Sequence, residues 1–198
     1  MTSTIITPTD TTPAGTAAMT KPDDTTTAQW TSVTTADGTF TVVADAEDRV
    51  LASGWTDDPD YLVALVHRTL RPETVHRTDG LATIRDAVES YYAGTFSAIE
   101  AIEVRQQSGP FLMRAWTELR TVAPGAPVTY TAFAELSGEP TAVRAAAAAC
   151  ARNAAALFVP CHRVLRSDGT LGGFRYGLPI KQSLLDREAQ RESDGPAS

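Results

Sequence analysis

The chain has 198 residues, 42% hydrophobic and 21% charged, with a net charge of −7. That suffices for one ordinary domain or two small ones, and it excludes a wholly disordered, collagen-like or low-complexity protein. Two cysteines, Cys150 and Cys161, exclude a disulfide scaffold, and with only His67, His76 and His162 beside them they exclude a four-ligand structural zinc site. The first ten residues lack the basic and apolar regions of a signal peptide, and no apolar run approaches the roughly 20 residues of a membrane span. A soluble, cytoplasmic protein with reduced thiols and no membrane partner is predicted.

Residues 1 to about 28 are rich in Thr, Pro and Asp and predict a disordered tail, because such a segment cannot offset its ordering entropy by burial. An α/β module is predicted over 29–103. Trp30–Thr35, Phe40–Ala44 and Arg49–Trp55 read as strands, with Asp37-Gly38 turning the first hairpin. Asp58-Pro59 starts a helix carrying Leu62, Leu65, Val66 and Leu70, and a second helix runs from about Leu81 to Tyr92 and stops at Gly94. His67 and His76 read as surface residues.

A mostly helical domain is predicted over 104–190, with a short tail over 191–198. Phe111, Leu112, Ala115, Trp116 and Leu119 make an apolar helical stripe that ends at Pro124-Gly125. Thr129 caps a short helix with Tyr130, Phe133 and Leu136. Gly138-Glu139-Pro140 turns the chain into an Ala-rich helix from about Thr141 to Ala151, a helix-turn-helix pattern. Its small side chains suit either close approach to a partner or tight core packing, and the sequence does not separate these. Leu157–Val159 reads as a buried strand leading into Pro160-Cys161-His162-Arg163. A Gly-rich loop with Phe174, Arg175 and Tyr176 precedes a last helix from about Pro179 to Gln190.

Charge is uneven. Residues 1–100 hold 6 Lys and Arg against 15 Asp and Glu, whereas Pro140–Lys181 holds Arg144, Arg152, Arg163, Arg166, Arg175 and Lys181 against Asp168 alone. That basic stretch reads as a solvated face or as a footprint for phosphate. A cysteine becomes a nucleophile when a base or positive field stabilises its thiolate. Cys161 has His162 as a candidate base, direct or through a water, and Arg163, Arg166 and Lys181 as nearby charge. The base needs an orienting acid. Glu188, Asp168 and Asp186 are all candidates, and spacing does not choose among them. Cys150 reads as a small packing residue.

Val159-Pro160-Cys161-His162-Arg163-Val164 resembles the active-site motif of the methylated-DNA–protein-cysteine methyltransferases, the O6-alkylguanine-DNA alkyltransferases. The likeness extends from about Phe111 to Glu188. Trp116, Val128-Thr129-Tyr130, Ala142-Val143-Arg144-Ala145, Asn153 eight residues before the cysteine, Gly169, Leu171, Gly172, Gly177, Lys181, Leu184 and Leu185 continue it. The chain is most similar to a stand-alone form of the adaptive-response branch, without that branch's extra zinc domain.

The resemblance implies a ribonuclease-H-like α/β module followed by a mostly α domain with a winged-helix-like helix-turn-helix. It implies a monomer acting on double-stranded DNA that contains O6-alkylguanine, with no cofactor and no metal. Cys161 would accept the alkyl group irreversibly, and His162, oriented by Glu188, would take the thiol proton through a water. Asn153 would tie the turn before the cysteine. Tyr130 would assist the departing guanine and crowd a phosphate. Arg144 would fill the space of the flipped base, with Ala145 and Arg152 also at the DNA. Backbone groups of Cys161 and Val164 would accept the guanine amino group, and Phe174, Arg175 and Tyr176 would wall the pocket. The chain departs from the family at Ala154, usually Pro, at Phe174, often Tyr, and at Tyr176, often small. Three other readings fit parts of the pattern: a DNA-binding module without transfer activity, a winged-helix regulator, and a cysteine hydrolase.

Overall fold

The computed structural model describes residues 27–193, with side chains as far as Gln190. The expected tails lie outside these limits, except that Thr27 and Ala28 already belong to the first strand and 191–193 continue the last helix.

The first half forms around a strand meander. β1 (Thr27–Thr35), β2 (Gly38–Ala44) and β3 (Val50–Trp55) pair antiparallel, and β4 (Thr74–Arg77) adds parallel to β1, giving the order β3-β2-β1-β4. The first turn lies one residue earlier than Asp37-Gly38 suggests. Thr35 pairs with Gly38, so Ala36 and Asp37 form the loop and Gly38 takes the positive φ of 111° that closes it. Sequence reading missed β4, a four-residue strand with one half-buried side chain and three exposed ones.

β2 and β3 are buried on both faces, which explains their continuous apolar pattern. Val43 and Leu51 face α1 (Pro59–Leu65) and the turn after it, with Leu62, Val66 and Leu70. Asp58 caps that helix by accepting from the Tyr61 N–H at 3.0 Å. Phe40 and Val42 face α2 (Ala82–Tyr92), which contributes Ile84, Val88 and Tyr91. The same buried cluster continues without interruption into the second half through Trp116, Leu119, Phe133, Phe158 and Leu184.

The second half contains α3 (Pro110–Leu119), α4 (Tyr130–Leu136), α5 (Val143–Arg152) and α6 (Leu178–Ser193). Two short parallel strands, β5 (Val128–Thr129) and β6 (Val164–Leu165), bracket α4 and α5. Thr129 caps α4 through the Ala132 N–H at 3.1 Å, as its sequence position predicts. Gly138, at φ 80°, turns α4 into α5. Trp116 Nε1 donates to the Ala149 carbonyl at 2.9 Å and ties α3 to α5. The Ala-rich helix is divided between two uses: Ala146 and Ala149 are buried in the core, while Arg144, Ala147 and Ala151 face outward.

Leu157–Val159 is not a strand. It is a buried turn in which the Val159 N–H returns to the Ala155 carbonyl at 2.9 Å and Leu157 adopts a φ of 76°. An apolar run says that a segment is buried, not that it is extended. Left-handed backbone costs a non-glycine residue about 1–2 kcal/mol, whereas deleting a buried leucine side chain costs roughly 2–5 kcal/mol. Burial therefore wins, and Leu157→Gly should destabilise the protein by about 2 kcal/mol despite relieving the backbone. Urea denaturation measures this; an unchanged or higher midpoint would refute it.

Candidate active site

The second half places its chemistry against the edge of β3 that β2 leaves unpaired. Two segments cover that edge. The connection between the halves runs beside Val50, with the Val50 N–H donating to the Glu103 carbonyl and the Arg105 N–H to the Val50 carbonyl, both at 2.9 Å. The chain leaving α5 runs beside Ser53, whose N–H donates to the Ala154 carbonyl at 2.9 Å and whose Oγ donates to the Ala156 carbonyl at 2.7 Å. β3 is thus a rail for the residues that lead to Cys161.

Asn153 ends α5 and organises the turn. Its Nδ2 donates to the Val159 carbonyl at 2.8 Å and to Cys161 Sγ at 3.3 Å, and its Oδ1 accepts from the Ala155 N–H at 3.1 Å and from Gln106 Nε2 at 3.2 Å. Gln106 Oε1 accepts the Ala154 N–H at 2.9 Å. The family's usual proline at that position has no N–H to give, so Gln106 holds here a group that proline would remove. The turn then enters a single 3₁₀ turn, Cys161–Arg163, followed by β6.

This geometry, not a strand, orients the Cys161-His162 pair. Cys161 lines a cavity of about 410 Å3 together with Tyr130, Ala147, Cys150, Ala151, Asn153, Ala156 and the loop Gly173–Tyr176. His162, wholly buried, lies outside that lining and donates from Nε2 to Glu188 Oε1 at 2.9 Å. Of the three candidate acids, Glu188 is therefore the partner. Asp168 is exposed and accepts from Thr170, and Asp186 is exposed and accepts from Gln182.

Glu188 also holds Arg163, whose Nε reaches Oε2 at 3.0 Å and whose NH2 reaches Oε1 at 2.9 Å. It accepts from Tyr91 Oη at 2.7 Å. Burial pushes the Glu188 carboxyl up, but His162 and Arg163 outweigh it and hold it at about 2. Burial pushes His162 down, against the pull of Glu188, so the ring is neutral at pH 7 with its proton on Nε2. Nδ1, buried, has no hydrogen-bond partner among the described residues. Burial pushes the Cys161 thiol up; the Asn153 N–H and the Lys181 and Arg175 charges oppose this without cancelling it.

The basic stretch is split by the fold. Arg163 and Lys181 are buried, and Lys181 Nζ donates to the Val164 carbonyl at 2.6 Å and to the Leu171 carbonyl. Arg144, Arg152, Arg166 and Arg175 remain exposed. Arg144 and Ala145 lie on the first turn of α5 and Arg152 on its last. Arg175 donates to the Ala151 carbonyl at 2.6 Å, closing the loop onto α5.

Tyr130 opens α4 and faces the cavity, with burial pushing its phenol up so that it remains a donor. Phe174 and Tyr176 pack on Trp55, with ring centroids 5.9 and 5.5 Å from it. Tyr176 Oη donates to the Ser53 carbonyl at 3.0 Å. A Cβ on Gly54 would fall 1.9 Å from the Tyr176 ring, so this tyrosine requires that glycine.

Val164 differs from expectation. It is fully buried, does not line the cavity, and its carbonyl already serves Lys181. Cys150 packs against the core as expected and also lines the cavity beside Cys161. Sequence reading missed Ser53, Tyr91 and Gln106, which lie outside the motif-bearing segment and carry no local signature.

The fold and site define a helix-turn-helix protein in which a thiol faces a cavity beside the second helix, backed by a buried His-Glu-Arg cluster. Residues 110–190 match the model of the 6-O-methylguanine DNA methyltransferase DNA-binding domain. The "Regulatory protein ada" of Salmonella typhimurium is 38% identical over 152 residues, 76% of this chain; the chain spans only 43% of that protein's length. A methylated-DNA–protein-cysteine methyltransferase of Shigella flexneri is 32% identical over 153 residues, 76% of this chain and 90% of that protein. The crystal structure of Mycobacterium tuberculosis OGT in complex with DNA superposes with a TM-score of 0.68 at 25% identity, over 82% of this chain and 94% of that one. The chain belongs to the methylated-DNA–protein-cysteine methyltransferase family.

A carboxyl held at about 2 in the fold but near 4.5 when unfolded stabilises the fold fully above pH 4.5, and that stability is lost as pH falls from 4.5 toward 2. Glu188→Gln leaves Arg163 buried without its counter-charge, which costs about 3–5 kcal/mol at pH 7. The gap between this variant and the natural protein should narrow as pH drops through 4.5. Denaturant titrations at a series of pH values test this, and a gap that does not depend on pH would contradict the assignment.

Proposed function

We propose that this chain repairs DNA by moving the alkyl group of O6-methylguanine, and of O4-methylthymine, onto its own Cys161. The observation that carries the reading is the pairing of Cys161 on the cavity wall with a neutral His162 fixed behind it by Glu188. His162 Nδ1, free of protein partners, takes the thiol proton through a water, and Glu188 stabilises the imidazolium that results. The thiolate attacks the alkyl carbon, the carbon–O6 bond breaks, and the electron pair leaves with guanine. Tyr130, a protonated phenol on the cavity wall, donates to the departing base. The thioether formed does not hydrolyse, so each molecule acts once, and the substrate itself supplies the alkyl group without a cofactor.

The helix-turn-helix approaches double-stranded DNA with α5, whose outward alanines permit close contact and whose exposed Arg144 fills the place of the flipped nucleotide. Arg152 meets the phosphates. In this reading the first half (29–103) is a ribonuclease-H-like module, the second (104–190) a winged-helix-like catalytic domain, and the protein acts as a cytoplasmic monomer. The complex of the Mycobacterium tuberculosis OGT with DNA supports the DNA partner.

Intact mass and peptide mapping after incubation with excess duplex carrying one O6-methylguanine should find one methyl on Cys161 and no second equivalent. Duplex binding with an unmodified Cys161 would favour a lesion-recognition module, and continued turnover of an ester would favour a hydrolase.

Tyr176, fixed by the Ser53 carbonyl and by Trp55, narrows the cavity against large O6 groups. Tyr176→Gly should react with O6-benzylguanine about tenfold faster than the natural protein, a difference of about 1.4 kcal/mol in the barrier. Equal rates would refute this role.

A further inference from the structure

The relay proposed above draws one donor from the other half of the molecule. Tyr91, on the last turn of α2, is 0% exposed, and its hydroxyl meets a carboxylate that is 1% exposed. The oxygen it reaches, Glu188 Oε1, is the one that accepts His162 Nε2. We infer that Tyr91 is a positioning residue for alkyl transfer: its hydroxyl fixes Glu188 Oε1 against His162, so that the first half of the chain completes the catalytic relay. This rests on the reading of Cys161, His162 and Glu188 given above.

The end of α2 is built to hold that hydroxyl still. The Tyr91 ring packs on Phe96 and Tyr92, with centroids 5.2 and 5.7 Å away. Tyr92 donates to Asp37 Oδ2 at 2.8 Å and accepts from Trp55 Nε1 at 2.9 Å, which pins it to the first hairpin and to β3. Arg187, the neighbour of Glu188, lays its guanidinium 4.7 Å from the Tyr92 ring centre. Two consecutive residues of α2 thus engage two consecutive residues of α6.

A tyrosine suits the position for a chemical reason. A neutral donor adds a hydrogen bond without cancelling the carboxylate charge, whereas a second cation beside Arg163 would weaken the attraction that His162 needs once protonated. Burial and the adjacent Glu188 push the Tyr91 phenol well up, so it acts only as a donor. The charged and titratable groups facing this pair are Arg163 on the cysteine's turn, Lys181 and Arg187 on α6, and Tyr91 and Tyr92 on α2. None but Tyr91 changes in the variant below.

The test uses the full-length protein carrying Tyr91→Phe, which keeps the ring and its packing. Single-turnover methyl transfer from a duplex with one O6-methylguanine is followed from about pH 5.5 to 9, beside binding of unmodified duplex and a denaturation midpoint. Without the hydroxyl, Oε1 turns more of its charge on His162, the imidazolium is favoured, and the acidic limb of the rate profile moves to higher pH. The rate at neutral pH should fall about tenfold, with duplex affinity within about twofold. Glu188→Gln, run in parallel, should lose more. Tyr91→Phe reacting at the natural rate, or reacting slowly with an unmoved pH profile, overturns the inference when Glu188→Gln is impaired. If Glu188→Gln also reacts at the natural rate, the relay itself fails and the inference falls with it.

Discussion

The structure depends on one buried negative charge. Removing a carboxylate from water costs several kcal/mol even after the protein relaxes, and only well-placed hydrogen bonds and an opposite charge offset that. Glu188, on α6, gathers its partners from two separate places in the chain: Tyr91 from the first half, and His162 and Arg163 from the turn at the cysteine. Arg163 in turn donates NH1 to the Val122 carbonyl at 2.5 Å and reaches the turn after α3. If any one of these elements shifts, a charge is stranded, so the cluster selects a single arrangement of the two halves.

Around that anchor, the edge of β3 solves a second problem. An open strand edge invites unwanted pairing, and a turn that must hold a thiol needs fixed backbone partners. Both needs are met by laying residues 154–156 and the connection at 103–105 along the same strand. Asn153 then converts strand register into the position of Sγ, since one amide group spans the Val159 carbonyl, the thiol and the Ala155 N–H. Gln106 holds the far side of Asn153 and occupies the N–H that Ala154 leaves available. The first half of the chain therefore serves the site at Ser53, Tyr91, Trp55 and, through the connection, Gln106.

What was legible in the sequence follows from how local each signal is. The hairpin turn, the helix caps at Asp58 and Thr129, and the turn at Gly138 depend on neighbours within four residues; the caps and Gly138 stand where expected, and the hairpin turn lies one residue away. The Pro160-Cys161-His162-Arg163 motif and Asn153 are similarly local. Glu188 became one candidate among three acids because its choice depends on how α6 crosses the cysteine turn, 26 residues away in sequence. Tyr91 is 97 residues from Glu188 and sits in an amphipathic helix where an aromatic residue reads only as core. Leu157–Val159 misled because burial and extension share one pattern in a short apolar run, and side-chain hydrogen bonds from Asn153 decided for a turn. The net +5 of the stretch from Pro140 to Lys181 overstated the surface charge, because Arg163 and Lys181 are consumed inside the fold.

On the proposed reading, that division of charge bears on how a single-use acceptor survives before it meets its lesion. An exposed, low-pKa thiol would be lost to any passing electrophile or oxidant. Here burial keeps Cys161 protonated at rest, and the charges beside it, Lys181 and Arg175, only temper this. His162 is held neutral with its bare nitrogen turned away from Glu188, ready to accept a proton but not yet carrying one. Reactivity thus requires two things together: a polarised alkyl group placed in the cavity, and transfer of the thiol proton to a histidine whose charge Glu188 will stabilise. The exposed Arg144 and Arg152 on α5 can draw a phosphate backbone, while the charges that temper the thiol come from the buried Lys181 and from Arg175. On the proposed reading, binding and chemistry are separated by the fold itself, and the acceptor is spent only where a base occupies the cavity.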